Sequence, residues 1–518
     1  MHSFSFSSFF LVAACRLAHV LADLPLITDY DAYNAGAYGN RPNQTFHSSD
    51  LVSPRFLVNK WDRNASTVGS HFFMAPAAPG MGFTPIILDS RDLSLVYADP
   101  KWDGGTDARM QMYNGSQYLT FWSGYDFKGH GTGGGLMVDT SYTEFRNLTT
   151  KGLGTGADSH DFKMTGDGGV IMNNYHTIVT DLTSVGGTTN SHLLDCAFQE
   201  ADVETGEVRF TWRANDHFHV TESRTDSPFE ETEDGWDWFH MNAISKTAQG
   251  NYLISIRHLQ ALALINGTDG SRIWQVGGSN NSFRDLSGGR ATNFKFQHDA
   301  RFVDATEREI TLFDNHNMAP GAAPTPGCTV DCTRGLRIRL DYNAMTVQVV
   351  SEFYHPVGVQ AWAQGGYQLQ SNGNALIGWG VVPAMTEYNA AGDIIMDVQI
   401  RPWDTTEEGG GPLYRAYRFD WVGQPTWGPS IAVVDSVVYV SWNGATEVAS
   451  WALSGGDTHV TLEAMDTVPK AGFETAITPP RAASFFRVNA LDSKGNVMGT
   501  TDVLDVASGE VVGSIIRH

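Results

Sequence analysis

Leu264-Ile265-Asn266-Gly267-Thr268-Asp269-Gly270-Ser271-Arg272-Ile273-Trp274 reads as two short strands around a tight turn: an apolar run, a turn rich in Gly, Asn and Asp, then a run ending in an aromatic ring. Residues 87–97, 200–212 and 339–350 carry the same text. The turn centres Asp92, Gly206, Gly270 and Ala344 lie 114, 64 and 74 residues apart, and the long first interval hides a diverged copy. A second pattern interleaves with the first: a glycine opens a strand at Gly115, Gly168, Gly250 and Gly373. Repeats of about 60–70 residues, each of several short strands, predict propeller blades. The fold expected is all-β: a six-bladed β-propeller over residues 23–425, with a β-solenoid or a pair of sandwiches as the alternative. Beyond residue 425 two alternating stretches, residues 437–442 and 485–492, flank Gly- and Asp-rich text. They predict a small C-terminal β-sandwich over residues 426–518, similar to a fibronectin type III module.

Composition agrees with many short strands and tight turns. The chain has 518 residues, 42% hydrophobic, with 54 Gly and a net charge of −23. It has no basic stripe, so nucleic acid is not an expected partner. Residues 1–22 read as a secretory signal peptide: the apolar run Phe9-Phe10-Leu11-Val12-Ala13-Ala14 is too short to span a bilayer, and no later segment could anchor the chain. Six sequons fit that route and predict glycosylation at Asn43, Asn64, Asn114, Asn147, Asn266 and Asn280. In an oxidising compartment Cys328 and Cys332 are expected to form a short-loop disulfide, with Cys196 a buried free thiol. The mature chain is expected in the secretory pathway or outside the cell, as a monomer.

Chemistry-bearing residues punctuate the strand text at four places: His160-Asp161, Asp237-Trp238-Phe239-His240-Met241-Asn242, Ser255-Ile256-Arg257-His258 and Gln297-His298-Asp299. No one element holds them all, so only a fold that gathers them makes a site. Gathered, they supply imidazoles for proton transfer or attack and a cation for developing negative charge. Singly, each histidine is more often a hydrogen-bonded structural residue, and His176, His217, His219, His316 and His355 are read that way. His240 and Asn242 share a face of an extended chain, whereas the adjacent Arg257 and His258 are expected to point apart. Asp161 and Asp299 are read as imidazole orienters or turn caps. Metal binding by three histidines is possible, but no His-x-His or His-x₃-His pair occurs within this set, and neither metal nor cofactor is expected. Trp122, Trp238, Phe239, Phe296, Trp362 and Trp379 are candidate pocket walls, with Trp238, Phe239, Phe296 and Trp379 the substrate-binding choices, although each is also a candidate core residue.

These motifs resemble the arylsulfotransferase family over most of residues 85–425. The resemblance implies a six-bladed propeller with a central funnel, in which a histidine carries a sulfuryl group from an aryl sulfate to a phenol. It implies His298 as nucleophile, His160, His240 and Arg257 as the oxyanion cradle, and Asn242 beside them. The chain differs from the bacterial pattern, which carries an N-terminal rather than a C-terminal sandwich. It is closer to a fungal, secretory branch that looks like the hetero-Diels–Alderases of tropolone–sesquiterpenoid biosynthesis. That likeness implies cycloaddition between a tropolone-derived quinone methide and a humulene-type sesquiterpene, with aromatic and terpenoid small molecules as partners, and it is the leading expectation. Sulfuryl transfer is the alternative, and a non-catalytic ligand-binding propeller the second alternative.

Overall fold

A computed structural model describes residues 22–78, 82–127, 129–226, 234–316, 326–403 and 413–512; the expected signal peptide, apart from Ala22, lies outside them. The chain is all-β, 49% strand and 4% helix. Six sheets of four or five strands, antiparallel but for the short parallel strands Trp236–Asp237 and Arg284–Asp285, follow one another among the described residues. Their first strands are Thr106–Tyr113, Phe162–Met164, Met241–Lys246, His298–Phe302, Gly366–Leu369 and Leu413–Phe419. Each sheet lies against the next at its inner edge, and Leu413–Phe419 lies against Thr106–Tyr113, which closes a propeller-like ring.

The ring is sealed by strand exchange. The fifth sheet takes its outermost strand, Leu57–Trp61, from the N-terminal region. The sixth takes its innermost strand from Leu413–Phe419 and the others from His71–Ala78, Ile86–Asp89 and Leu95–Ala98, with the short Gly82–Phe83 paired to His71–Ala78.

The four hairpins legible in sequence are the turns between the third and fourth strands of the sixth, second, third and fourth sheets. The diverged copy is the turn between Val138 and Glu144 of the first sheet, and a further copy joins Tyr388 to Ile394 in the fifth. In the first sheet the outer strand Glu144–Leu148 is mostly polar and solvent-facing, so it lacks the apolar text that marks the others. The strand-opening glycines occupy the turns between first and second strands. Gly115, Gly168, Gly250 and Gly373 have φ of 77°, 80°, 84° and 86°, where a side chain would be strained.

Hydrophobic cores fill the spaces between neighbouring sheets. One joins Trp212, Trp238, Phe239, Ile244 and Ile256 between the second and third. Past residue 425, a three-stranded and a six-stranded sheet bury a common core that includes Val438, Trp451, Leu453, Phe486 and Val488. Tyr142 of the ring donates to Gly444 O at 2.8 Å, and Asn443 Nδ2 to Ala98 O at 2.9 Å, tying these sheets to the ring. Cys328 is bonded to Cys332, and Cys196 is a buried free thiol. Asn43, Asn64, Asn114, Asn147 and Asn280 are exposed, and Asn266 is half-buried in its hairpin turn. No helix among the described residues is long and apolar enough to cross a membrane.

Candidate functional site

The innermost strands do not begin as regular strands. Pairing register shifts at Thr106/Arg109, Met241/Ala243, His298/Arg301 and Leu413/Ala416. Asp107 and Asp299 lie at two of these bulges and His240 directly precedes a third, with φ of 56°, 52° and 55°. A bulge re-aims consecutive side chains, and strained backbone of this kind gathers where geometry matters. The result is two stacked layers in the middle of the ring, one of histidines and one of ion pairs.

In the histidine layer, the Nε2 atoms of His160 and His240 face each other at 3.1 Å. His160 Nδ1 donates to Asp158 Oδ1 at 2.5 Å, and His240 Nδ1 to Asp237 Oδ2 at 2.5 Å. Asp237 also takes His130 Nε2 at 3.2 Å, while its carbonyl accepts from His258 Nδ1 at 2.6 Å. Arg257 Nη1 donates to His258 Nε2 at 2.6 Å, so the neighbours expected to point apart instead touch. The reason is local: the strand ends at Ile256 and residues 257–260 form a turn. Arg257 lies over the Phe296 ring at 4.5 Å and donates to Trp362 O at 3.2 Å.

His298 sits beside this group, almost fully buried. Its Nδ1 contacts Asn315 Oδ1 at 2.7 Å, and Gln364 N donates to its Nε2 at 3.2 Å. Asn315 Nδ2 donates to Ala361 O and Gln364 O, which fixes the amide with Oδ1 towards the imidazole. His298 therefore carries its proton on Nδ1 and its lone pair on Nε2. Asn242 is fully buried and does not face the imidazoles; its Nδ2 donates to Gln297 O at 2.7 Å and so holds the backbone that leads into His298.

Burial sets the charge state of the layer. It pushes His240 and His298 well below the ordinary imidazole value and His258 down to about 4. Burial also lowers Arg257 to about 10. His130 moves the other way: burial opposes its charge, but Asp237 outweighs that and raises it.

Asp161 and Asp299 orient no imidazole. They belong to the second layer, a closed alternation of buried charges. Arg109 pairs with Asp107 at 2.8 Å and Asp161 at 2.5 Å; Arg301 pairs with Asp161 at 2.8 Å and Asp299 at 3.0 Å; Arg415 pairs with Asp107 at 3.2 Å and Asp299 at 3.7 Å. The reason for the difference is the bulge at His298, which sends Asp299 away from its neighbour. The orienters in place are Asp158, Asp237 and Asn315; Asp237 opens one of the four motifs, whereas Asp158, Asn315 and the neighbouring His130 lie outside them. Asp158 lies two residues before His160, close enough to signal its role in sequence.

Of the expected aromatic walls, only Phe296 touches the site through its side chain, and Trp362 contributes its carbonyl. Trp238, Phe239 and Trp379 are fully buried in the cores between sheets, and Trp122 donates to Ala157 O at 2.9 Å within the packed interior. Trp238 and Phe239 lie between strands and Trp379 just past one, and their rings turn into the apolar clusters between neighbouring sheets instead of towards the site. A cavity of about 470 Å³ borders the layer, lined by His130, Tyr175, Asp237, Tyr125, Thr155 and Leu194 among others. Two groups have metal-binding proximity: His130, Asp158 and His160, and His130, Asp237 and His240.

The class so defined is a propeller-like ring with a polar interior of imidazoles and a guanidinium. Residues 109–401, more than half of the chain, match the arylsulfotransferase (ASST) family, and the chain belongs to that family. No curated protein is matched. Among solved structures, a Bacteroides caccae protein of unknown function is 12% identical with a TM-score of 0.40, covering 67% of this chain and 98% of its own. A Lactobacillus plantarum protein is 11% identical with a TM-score of 0.35, covering 79% and 98%. A streptogramin B lyase is 8% identical with a TM-score of 0.24, covering 65% and 80%.

Proposed function

We propose that this chain is an enzyme that moves a sulfuryl group from an aryl sulfate to a phenol, using His298 as the carrier. The ring is read as a six-bladed propeller over residues 23–425, with residues 426–518 as a bracing sandwich. The observation that carries the reading is the fixed tautomer of His298, a neutral imidazole with its Nε2 lone pair held in place by Asn315. Burial keeps that imidazole unprotonated, which an attacking nitrogen requires.

In the first half-reaction Nε2 attacks sulfur, the S–N bond forms, and the S–O bond to the aryl oxygen breaks. The departing phenolate takes a proton from solvent through the cavity that His130 and Asp237 border. In the second half-reaction a phenol oxygen attacks the same sulfur, its proton passes to solvent, and the S–N bond breaks to return free His298. Arg257 stabilises charge on the sulfuryl oxygens, anchored by His258 and Trp362.

The test is the intact mass of protein quenched during turnover of p-nitrophenyl sulfate. The expected result is one added sulfuryl group, lost in His298→Ala together with turnover; unmodified protein under turnover would overturn the reading.

One observation favours a second reading. His298 Nε2 already accepts the Gln364 amide at 3.2 Å, so a nucleophile must first give up a hydrogen bond. Chemistry without a covalent carrier has no such requirement. A hetero-Diels–Alder cycloaddition between a tropolone-derived quinone methide and a humulene-type sesquiterpene would use Arg257 to hold the oxygen of the diene. Offered both substrate sets, an enzyme of this kind gives one stereoisomer of the adduct and no sulfated phenol, and Arg257→Ala slows it or erodes its stereochemistry. Secretion and glycosylation at the six sequons belong to the proposal under either chemistry, read by a mass shift on enzymatic deglycosylation.

A further inference from the structure

The facing Nε2 atoms of His160 and His240 raise a question of protons. Each ring donates its Nδ1 proton to a carboxylate, His160 to Asp158 and His240 to Asp237, both at 2.5 Å. In the neutral rings both Nε2 atoms then carry lone pairs, and the two point at each other across 3.1 Å. Two lone pairs do not hold each other; a positive charge must join them, either a shared proton or a metal ion.

We propose that His160 and His240 chelate a divalent transition-metal ion through their Nε2 atoms, with His130 as the third imidazole of the site. Two imidazoles bound at about 2.0–2.1 Å to one ion, with nitrogens 3.1 Å apart, subtend an angle of about 98° there, inside the ordinary range. Carboxylates on both Nδ1 atoms are the usual outer partners of metal-bound histidine, fixing the tautomer and raising ligand basicity. The rings of His160, His240 and His130 are 4.8, 5.0 and 5.9 Å apart between centroids, close enough for three imidazoles to surround one ion. His130 Nδ1 is buried and has no hydrogen-bond partner. His130 belongs to two groups whose ligand atoms lie within 4.8 Å of one another, one with Asp158 and His160 and one with Asp237 and His240. Sequence spacing gave no hint, because the three histidines stand 30 and 80 residues apart and meet only through the ring. His130 and Asp237 line the cavity and His160 and His240 do not, so the site meets the cavity on its His130 side, where water or an oxygen donor of a small molecule would complete the ion's coordination.

The inference stands apart from the sulfuryl-transfer reading, since its readout is metal content. The full glycosylated chain, stripped with a chelator and exchanged into buffer, is titrated with Co²⁺ and separately with Zn²⁺, following visible absorption for Co²⁺ and bound metal by elemental analysis. The expected result is one equivalent bound, with a ligand-field spectrum for Co²⁺. His160→Gln and His240→Gln are expected to abolish uptake, and Asp158→Asn to weaken it roughly 10–100-fold while keeping both ligands. His459→Gln, at an exposed histidine of the C-terminal sheets, is the unaffected control. Thermal melts establish that each variant is folded; if His240→Gln is not, Asp158→Asn decides. Folded wild-type chain that takes up less than about a tenth of an equivalent overturns the proposal. So does uptake that survives in folded His160→Gln, and so does a strongly downfield shared imidazole proton that added metal leaves in place.

Discussion

Asn315 does for His298 what carboxylates do for His160 and His240, but without charge. A neutral orienter fixes the tautomer and leaves no anion to stabilise an imidazolium, which suits a ring that must stay unprotonated. Asn315→Leu removes the acceptor and two buried donors to carbonyls. Activity is expected to fall at least about tenfold, mainly in kcat, with a stability loss of about 1–3 kcal/mol read from denaturant melts; an unchanged kcat would argue that His298 is a structural residue. Conservative Asn315→Asp tests the charge: it keeps the geometry and is expected to shift the pH dependence of kcat by favouring protonated His298. At this scale the sequence was half legible. His160, His240, Arg257 and His298 stand out because each interrupts apolar strand text. Asn315 does not, since it lies 17 residues from His298; the strand register that pairs His298 with Phe313 brings it alongside.

Elements carry the next level of control. The bulges that open four innermost strands let His298 and Asp299 serve different layers one residue apart. The alternation of Asp107, Arg109, Asp161, Arg301, Asp299 and Arg415 then ties the strands of the first, fourth and sixth sheets to the segment that opens the second. Arg415 is fully buried and also donates to Asn242 O at 2.9 Å, reaching the third sheet. Arg415→Met would leave Asp107 and Asp299 short of a partner. A loss of about 3–5 kcal/mol is expected by denaturant titration, because the cost is that of an uncompensated buried charge; a loss under 1 kcal/mol would mean water already screens the layer. Hairpins were the legible elements, as their turn residues have a fixed chemistry. Bulges were not, because a bulge at a strand's first residue leaves no periodic run before it to break.

Across the whole molecule, burial of neutral histidines sets the response to acid. His71 and His258 are lowered to about 4 and His355 to about 3, all chiefly by burial. In the unfolded chain they return to the ordinary value of 6.5, so between about pH 4 and 6.5 the unfolded state binds more protons. Their contribution is complete above about 6.5 and is lost as pH falls towards 4. Asp23 and Asp195, raised by burial to about 6, act in the opposite sense below that value. The expected outcome is a lower Tm at pH 5 than at pH 7.5, with a smaller drop in His355→Phe; equal drops in variant and parent would remove His355 from this account. The strand exchange between the two ends of the ring has a consequence for synthesis. A ribosome releases the chain from its N-terminus, and the strands bearing His160, His240 and His298 emerge while the sixth sheet still lacks Leu413–Phe419. Until that strand arrives, the inner edge of His71–Ala78 has no strand paired to it, and Arg415 is missing from between the acids. The enzyme's interior is thus completed by one of the last strands of the ring to be made, so a nascent chain arrested before residue 413 is expected to hold every histidine of the site and yet have no site.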